Sequence, residues 1–210
     1  MREKAELSGL IYLDLDMLIS YSGLSVKKIS DSLIKLPKYG CLVGPIRSPR
    51  APRFKNNVRT ISVVRDPRDV IISQYYSLKF SHGIISRYIL ETRTQLQTLE
   101  LNEYLFSSVG NKIINDTVAF MDEALNCNLN FKYEDLIKSE TERTRLNNAV
   151  ADGHKTVKIP LSSATNSSKS KHHRSGASGQ WQVLEMSSQE YLNEQFDIYL
   201  KRFRYCTRSL

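Results

Sequence analysis

The sequence contains few cysteines, a single tryptophan and no long uncharged apolar run. Three cysteines spread over 210 residues are too few and too widely spaced for a disulfide scaffold or a metal cluster, and they suit a reducing compartment. Two aspartates interrupt the most apolar early stretch, residues 7–24, so we expect neither a membrane span nor a signal peptide. The sequence therefore predicts a cytoplasmic protein.

Acidic residues are absent from two long windows of this basic chain, whose net charge is +8. The window 32–65 carries eight Lys and Arg residues, and the window 153–184 carries five. Basic charge concentrated in a cleft attracts anions more strongly than scattered lysines do, so the two windows indicate an anionic ligand. From charge alone, two solvated basic loops remain the alternative.

The remaining composition is typical of a globular protein, with 40% hydrophobic and 25% charged residues, and the length predicts a single domain over 1–210. Apolar runs predict strands, and apolar periodicity predicts helices between them. Strands separated by helices favour an α/β fold with a parallel sheet. The Ser-rich segment 162–180 predicts a mobile basic loop. The strands are predicted at 8–15, 41–46, 58–64 and 129–133, and the helices at 25–36, 99–125, 134–150 and 187–203.

A capped helix is predicted directly after the β-branched run 58–64. Asp66 has the chemistry of an N-cap, Pro67 suits the first helical position, and Asp69 adds a carboxylate to the first turn. Arg65 would then lie at the carboxyl end of a strand, beside a helix N-terminus. Ligands of open α/β proteins bind at such junctions.

The predicted helix is apolar around most of its circumference, except for a seam at i, i+4 and i+8 formed by Asp69, Ser73 and Ser77. The Ser73 hydroxyl has two alternative roles. It either helps Arg65 to hold an anion, or it bonds back to a carbonyl of its own helix.

Residues 65–73, RDPRDVIIS, resemble the R-D-P-R-D-V-x-x-S signature of sulfotransferases. The resemblance implies that Arg65 and Ser73 bind the 3′-phosphate of the sulfuryl donor 3′-phosphoadenylyl sulfate. It also implies a three-layer parallel sheet flanked by helices, related to nucleotide kinases, and a transfer that needs no metal. The product nucleotide would be adenosine 3′,5′-bisphosphate, and the acceptor would be a hydroxyl of a carbohydrate or small molecule.

Two further segments follow in the order of that family. Tyr133-Glu-Asp-Leu resembles its Y-E-D-L step, which implies that Tyr133 lies beside the adenosine. Residues 174–181, RSGASGQW, resemble its R-K-G-x-x-G-D-W motif, which implies that Arg174, Ser175 and Gly176 fold over the 3′-phosphate. Serine stands at 175 where the family has lysine, so we expect weaker donor affinity.

The family's P-K-x-G-[ST]-[ST] loop, which cradles the 5′-phosphosulfate, has no convincing match. Residues 37–41, PKYGC, lack its hydroxyl residues, so we interpret Lys38 as a chance match. We nominate no catalytic residue, because no histidine or glutamate occupies a position expected for the general base. The fold is therefore expected to be N-terminally incomplete, and the chain is either a truncated sulfotransferase or a diverged inactive protein.

A basic module that binds nucleic acid or an acidic polysaccharide without catalysis is the alternative from another functional class. Tyr75, Tyr76 and Phe80 lie near a basic window in the sequence, as aromatic residues do in some such modules. They fall on a helix that is predicted to be buried, and no nucleic-acid-binding motif accompanies them. We therefore do not expect a nucleic-acid partner.

Overall fold

The structure is a computed structural model that describes residues 11–13, 41–43, 59–81, 83, 87–151 and 178–206. The helix predicted at 25–36 lies outside these ranges, as do Arg174, Ser175 and Gly176. Most of the predicted loop 162–180 also lies outside them.

The described strands form two two-stranded sheets. In the first sheet β1 (Ile11–Leu13) runs parallel to β2 (Cys41–Val43), with Ile11 opposite Cys41. In the second, β3 (Ile61–Val64) neighbours β4 (Leu129–Lys132). All four strands fall inside predicted apolar runs, and each is shorter than its run.

Helices dominate the described residues, so the architecture is mostly helical with a small parallel sheet, which is compatible with the predicted α/β class. None of the helices in the described ranges is long and apolar enough to cross a membrane. The helices are α1 (Pro67–Tyr76), α2 (Arg87–Gln97), α3 (Leu101–Phe106), α4 (Ser108–Leu125), α5 (Tyr133–Lys138), α6 (Glu140–Ala151) and α7 (Met186–Arg202).

Contacts divide the chain into two compact units. The first unit comprises Met1–Ser62 and Leu125–Pro160, and the second comprises Val63–Ala124 and Leu161–Leu210. The single domain over 1–210 stays a prediction.

The first unit joins the start of β3 to the start of β4 through polar side chains. Asn128 Oδ1 accepts hydrogen bonds from the Thr60 backbone N–H and from Thr60 Oγ1, both at 2.9 Å. The Leu129 N–H donates to the Thr60 carbonyl at 3.2 Å. Further along the unit, the Arg145 guanidinium lies 4.1 Å from the centre of the Phe131 ring, covering a core side chain of β4.

The core of the second unit contains buried side chains from α1, α2, α3, α4 and α7. Tyr75 of α1 contacts Tyr104 of α3, with ring centres 5.1 Å apart. The fully buried apolar side chains of this unit include Ile71, Ile72, Leu96, Tyr104, Leu105, Leu192, Phe196 and Leu200. Helix α1 continues into one π-helical turn, Ser77–Ser81.

The helix predicted over 99–125 is interrupted at Ser107, where the backbone is extended and separates α3 from α4. Ser107 Oγ donates to the Tyr104 carbonyl and accepts from the Gly110 N–H. These local bonds compete with the helical ladder, which is why the periodic pattern continues through a break in the backbone. The interruption brings Gly110 directly against the Tyr104 carbonyl.

Replacing Gly110 with alanine should destabilise the protein, although alanine normally favours a helix interior. A methyl group at this position would overlap the Tyr104 carbonyl oxygen, which belongs to the backbone and cannot turn aside. We expect a loss of about 3 kcal/mol in the free energy of unfolding, measured by urea denaturation. Asn115→Ala, at an exposed position of the same helix, is the control and should change stability by no more than about 0.5 kcal/mol. Equal stability of Gly110→Ala and wild type would contradict the close packing.

Candidate functional site

The junction between β3 and α1 has the local structure that the sequence predicts. The Asp66 carboxylate accepts a hydrogen bond from the Arg68 N–H at 3.0 Å, and Pro67 occupies the first helical position. The predicted N-cap is therefore confirmed. Arg65 follows the last residue of β3 and is half-buried.

Arg68 is buried, with only 1% of its surface exposed, and its guanidinium joins three parts of the second unit. It donates to both carboxylate oxygens of Asp66, at 3.0 and 2.7 Å. It also donates to Asn193 Oδ1 of α7 at 2.7 Å, and to the Cys206 carbonyl at 2.6 Å. A buried guanidinium costs desolvation energy, and these acceptors compensate its charge.

Trp181 packs against the same guanidinium. The Arg68 Cζ atom lies 3.7 Å from the centre of a Trp181 ring, and Trp181 is only 3% exposed. A desolvated cation over an indole face contributes about 2 kcal/mol. Trp181 is therefore a packing residue of this junction.

Asp69 connects the first turn of α1 to the backbone of a distant segment. Its Oδ2 accepts from the Gly179 N–H at 2.8 Å, and its Oδ1 accepts from the Trp181 N–H at 3.1 Å. We call residues 179–183 the docking turn. It begins at Gly179, whose φ of 83° favours glycine, and continues as a 3₁₀-helix over Gln180–Val183.

The Asp69 carboxylate has no exposed surface, and burial raises its pKa. The hydrogen bonds from Gly179 and Trp181 oppose this rise in pKa, as does the positive charge of Arg65, whereas the nearby Asp66 carboxylate adds to it. Burial dominates because removing a charge from water costs more than these partners return.

Ser73 lies one helical turn beyond Asp69 and is half-buried. Its hydroxyl has no hydrogen-bond partner in the part of the chain that the structure describes. Thr94 and Thr117 behave differently, since each donates to the carbonyl four residues earlier in its own helix. The alternative in which Ser73 bonds back to its own helix is therefore not observed, since α1 lies wholly within the described residues.

The remaining predicted site residues are Tyr133, Arg174, Ser175 and Gly176. Tyr133 is half-buried and is the first residue of α5, in the first unit. Its position beside an adenosine stays a prediction. The roles of Arg174, Ser175 and Gly176 also stay predictions, because these residues lie outside the described ranges. Within those ranges, no group of His, Cys, Asp or Glu side chains has the arrangement to hold a metal ion.

Sequence reasoning missed the structural roles of Arg68 and Asp69. The sequence pattern marks Asp69 as a first-turn acid and as part of the polar seam, and it assigns no role to Arg68. A signal was present in the sequence, because the five residues RDPRD carry four charges directly after a β-branched run. Charged groups in that position need partners from elsewhere in the chain, and a segment such as 179–181 supplies them through its N–H groups.

Replacing Arg68 with methionine should cost about 3–5 kcal/mol of stability, because it leaves the buried Asp66 carboxylate without the guanidinium. Denaturant unfolding measures the loss. Arg202→Met, at an exposed position of α7, is the matched control, with an expected change within about 0.5 kcal/mol. A variant as stable as wild type would show that the Arg68 contacts contribute nothing net.

The raised pKa of Asp69 makes the effect of Asp69→Asn depend on pH. The folded protein holds the Asp69 proton more tightly than the unfolded chain does, so wild type loses stability as pH rises from about 3.8 through the folded pKa. Asparagine lacks this titration. The amount by which the Tm of wild type exceeds that of Asp69→Asn should therefore be largest in acid and shrink toward neutral pH. A difference that grows toward neutral pH would show that hydrogen bonding outweighs burial.

Comparison of the chain with models of known protein families, with curated proteins and with solved structures gives no match. Its function is therefore inferred from the residues and from the contacts between them.

Proposed function

We propose that the protein is a sulfotransferase of the type that uses 3′-phosphoadenylyl sulfate as donor and a hydroxyl group of a carbohydrate or small molecule as acceptor. In this proposal the chain has the three-layer nucleotide-kinase-like fold of that family, without the loop that binds the 5′-phosphosulfate. Arg65 and Ser73 bind the 3′-phosphate of the nucleotide, together with Arg174, Ser175 and Gly176.

The observation that carries the proposal is the contact between two of the motifs. The first, at residues 65–73, and the last, at residues 174–181, lie far apart in the sequence. Asp69 of the first motif accepts hydrogen bonds from Gly179 and Trp181 of the last, and Arg68 packs on Trp181. A chance resemblance in two unrelated segments would not require them to meet at one helix start.

The geometry around Ser73 supports an anion site on this side of α1. Arg65 acts electrostatically on Asp69, and Ser73 follows Asp69 by one helical turn. A guanidinium and a hydroxyl are both donors, and a doubly ionised phosphate accepts several donors at once. Arg174 precedes Gly179 by five residues, which an extended chain spans in at most about 18 Å. Its guanidinium is thus tethered to a turn that is already bonded to α1.

Sulfuryl transfer requires the protein mainly to position its ligands and to stabilise charge. Sulfuryl transfer resembles phosphoryl transfer, in which positioned cations and N–H groups supply most of the rate enhancement. A 3′-phosphate site is needed for donor binding but does not by itself produce turnover. The proposal therefore assigns nucleotide binding to named residues and assigns no general base.

Binding to immobilised adenosine 3′,5′-bisphosphate tests the proposal. We expect the wild-type protein to be retained and to elute with free nucleotide, and we expect Arg65→Ala to flow through. Ser73→Ala should bind about tenfold more weakly, the usual effect of one lost hydrogen bond to a charged group. Isothermal calorimetry measures the dissociation constants.

Arg202→Ala removes an exposed arginine from α7 and is the charge-matched control, with expected binding equal to wild type. A folded wild-type protein that ignores the resin would refute the proposal. Retention by heparin or RNA that persists in Arg65→Ala, without nucleotide binding, would instead identify a basic binding module.

A further inference from the structure

We infer that Asp69 is a positioning residue of the proposed 3′-phosphate site: it holds the docking turn on the first turn of α1, and the nucleotide binds at full affinity only while the turn is docked. This inference rests on the proposed function for its ligand. The docking itself rests on described contacts alone.

Asp69 holds the N-terminal end of the docking turn. Gly179 and Trp181 each donate a backbone N–H to a different oxygen of its carboxylate. Other residues hold the C-terminal end of the turn and the two residues that follow it. Gln189 Nε2 donates to the Gln182 and Leu184 carbonyls at 3.3 and 2.8 Å, and the Glu185 N–H donates to Asn102 Oδ1. Loss of the Asp69 contacts would therefore release one side while the attachment to α7 remains.

A carboxylate is the side chain that this position requires. Both of its oxygens accept and neither donates, which matches two converging N–H groups. An asparagine of the same shape would bring an NH₂ group against one of the two backbone donors. Asp69→Asn therefore keeps the volume of the side chain, loses one hydrogen bond and leaves a buried donor without an acceptor.

The location of Asp69 makes this docking relevant to the anion site. Asp69 lies on the helix face that carries Ser73, and the charge of Arg65 acts on it. The docking turn also begins three residues after Gly176 in the sequence. One carboxylate thus fixes the end of the last motif against the helix that carries the first.

Trp181 provides a direct measurement, because it is the only tryptophan in the chain and is buried in the docked turn. We expect acrylamide to quench its fluorescence more strongly in Asp69→Asn than in wild type, without ligand and well below the melting temperature of either protein. Far-UV circular dichroism should show unchanged helix content. Asp116→Asn, on exposed α4 surface, is the matched control and should leave the quenching unchanged.

Gly179→Ala tests the same contact by changing the docking turn instead of Asp69. A methyl group at this position meets nothing closer than 3.5 Å, but a left-handed backbone strains alanine, so the turn should undock while α1 is left untouched. If Asp69→Asn fails to fold, this variant provides the test. Both variants should bind adenosine 3′,5′-bisphosphate about tenfold more weakly than wild type, and the double variant should bind little more weakly than either single one.

The possible outcomes separate this inference from the proposed function. Quenching of Trp181 that matches wild type in both variants would overturn the docking role. Stronger quenching with wild-type nucleotide affinity would reduce Asp69 to a purely structural residue and overturn the positioning role. A wild-type protein that binds no nucleotide would refute the proposed function and the ligand half of the inference, while the quenching would still report whether Asp69 docks the turn.

Discussion

The buried Asp69 carboxylate accepts hydrogen bonds from two backbone N–H groups, those of Gly179 and Trp181. The rest of the site depends on this interaction. Asp69 could ionise more cheaply in water, and burial raises its pKa accordingly. In the interior it accepts from the Gly179 and Trp181 N–H groups, and these two hydrogen bonds offset part of the cost of burying its charge. The neighbouring Arg68 reinforces the arrangement, since the same guanidinium pairs with Asp66 and supports the Trp181 ring.

Local chemistry made part of this structure predictable. The start of α1 follows from Asp66 and Pro67, whose effects act within a few residues. The break between α3 and α4 was not predicted, because the apolar period continues through Ser107 while its hydroxyl bonds to the backbone. Ser139 acts similarly by accepting from the Glu142 N–H at the start of α6. Periodicity reports which face is buried, and it does not report where a serine ends a helix.

The sequence predicts which residues form the candidate site, and it does not predict how they are arranged in space. Arg65 and Ser73 follow from a strand, a capped helix and a polar seam, all encoded within one short segment. The pairing of Asp69 with Gly179 joins residues that are 110 positions apart, and no local pattern encodes such a pairing. Whether Ser73 bonds back to its own helix could not be read from the sequence, because Thr94 and Thr117 in the same unit do so and Ser73 does not.

The hydrogen bond from Arg68 to a residue near the end of the sequence also affects how the chain folds during synthesis. Its guanidinium donates to the carbonyl of Cys206, which is made 138 residues later. At ribosomal speeds of about 5–20 residues per second, this acceptor is made roughly 7 to 28 seconds after the arginine. Until then the charged junction lacks the Cys206 acceptor, and before residues 181 and 193 are made it also lacks the cover of Trp181 and the Asn193 acceptor. The contacts around Arg68 are therefore complete only after Cys206 has been translated. Chaperones can protect the charged junction during that interval.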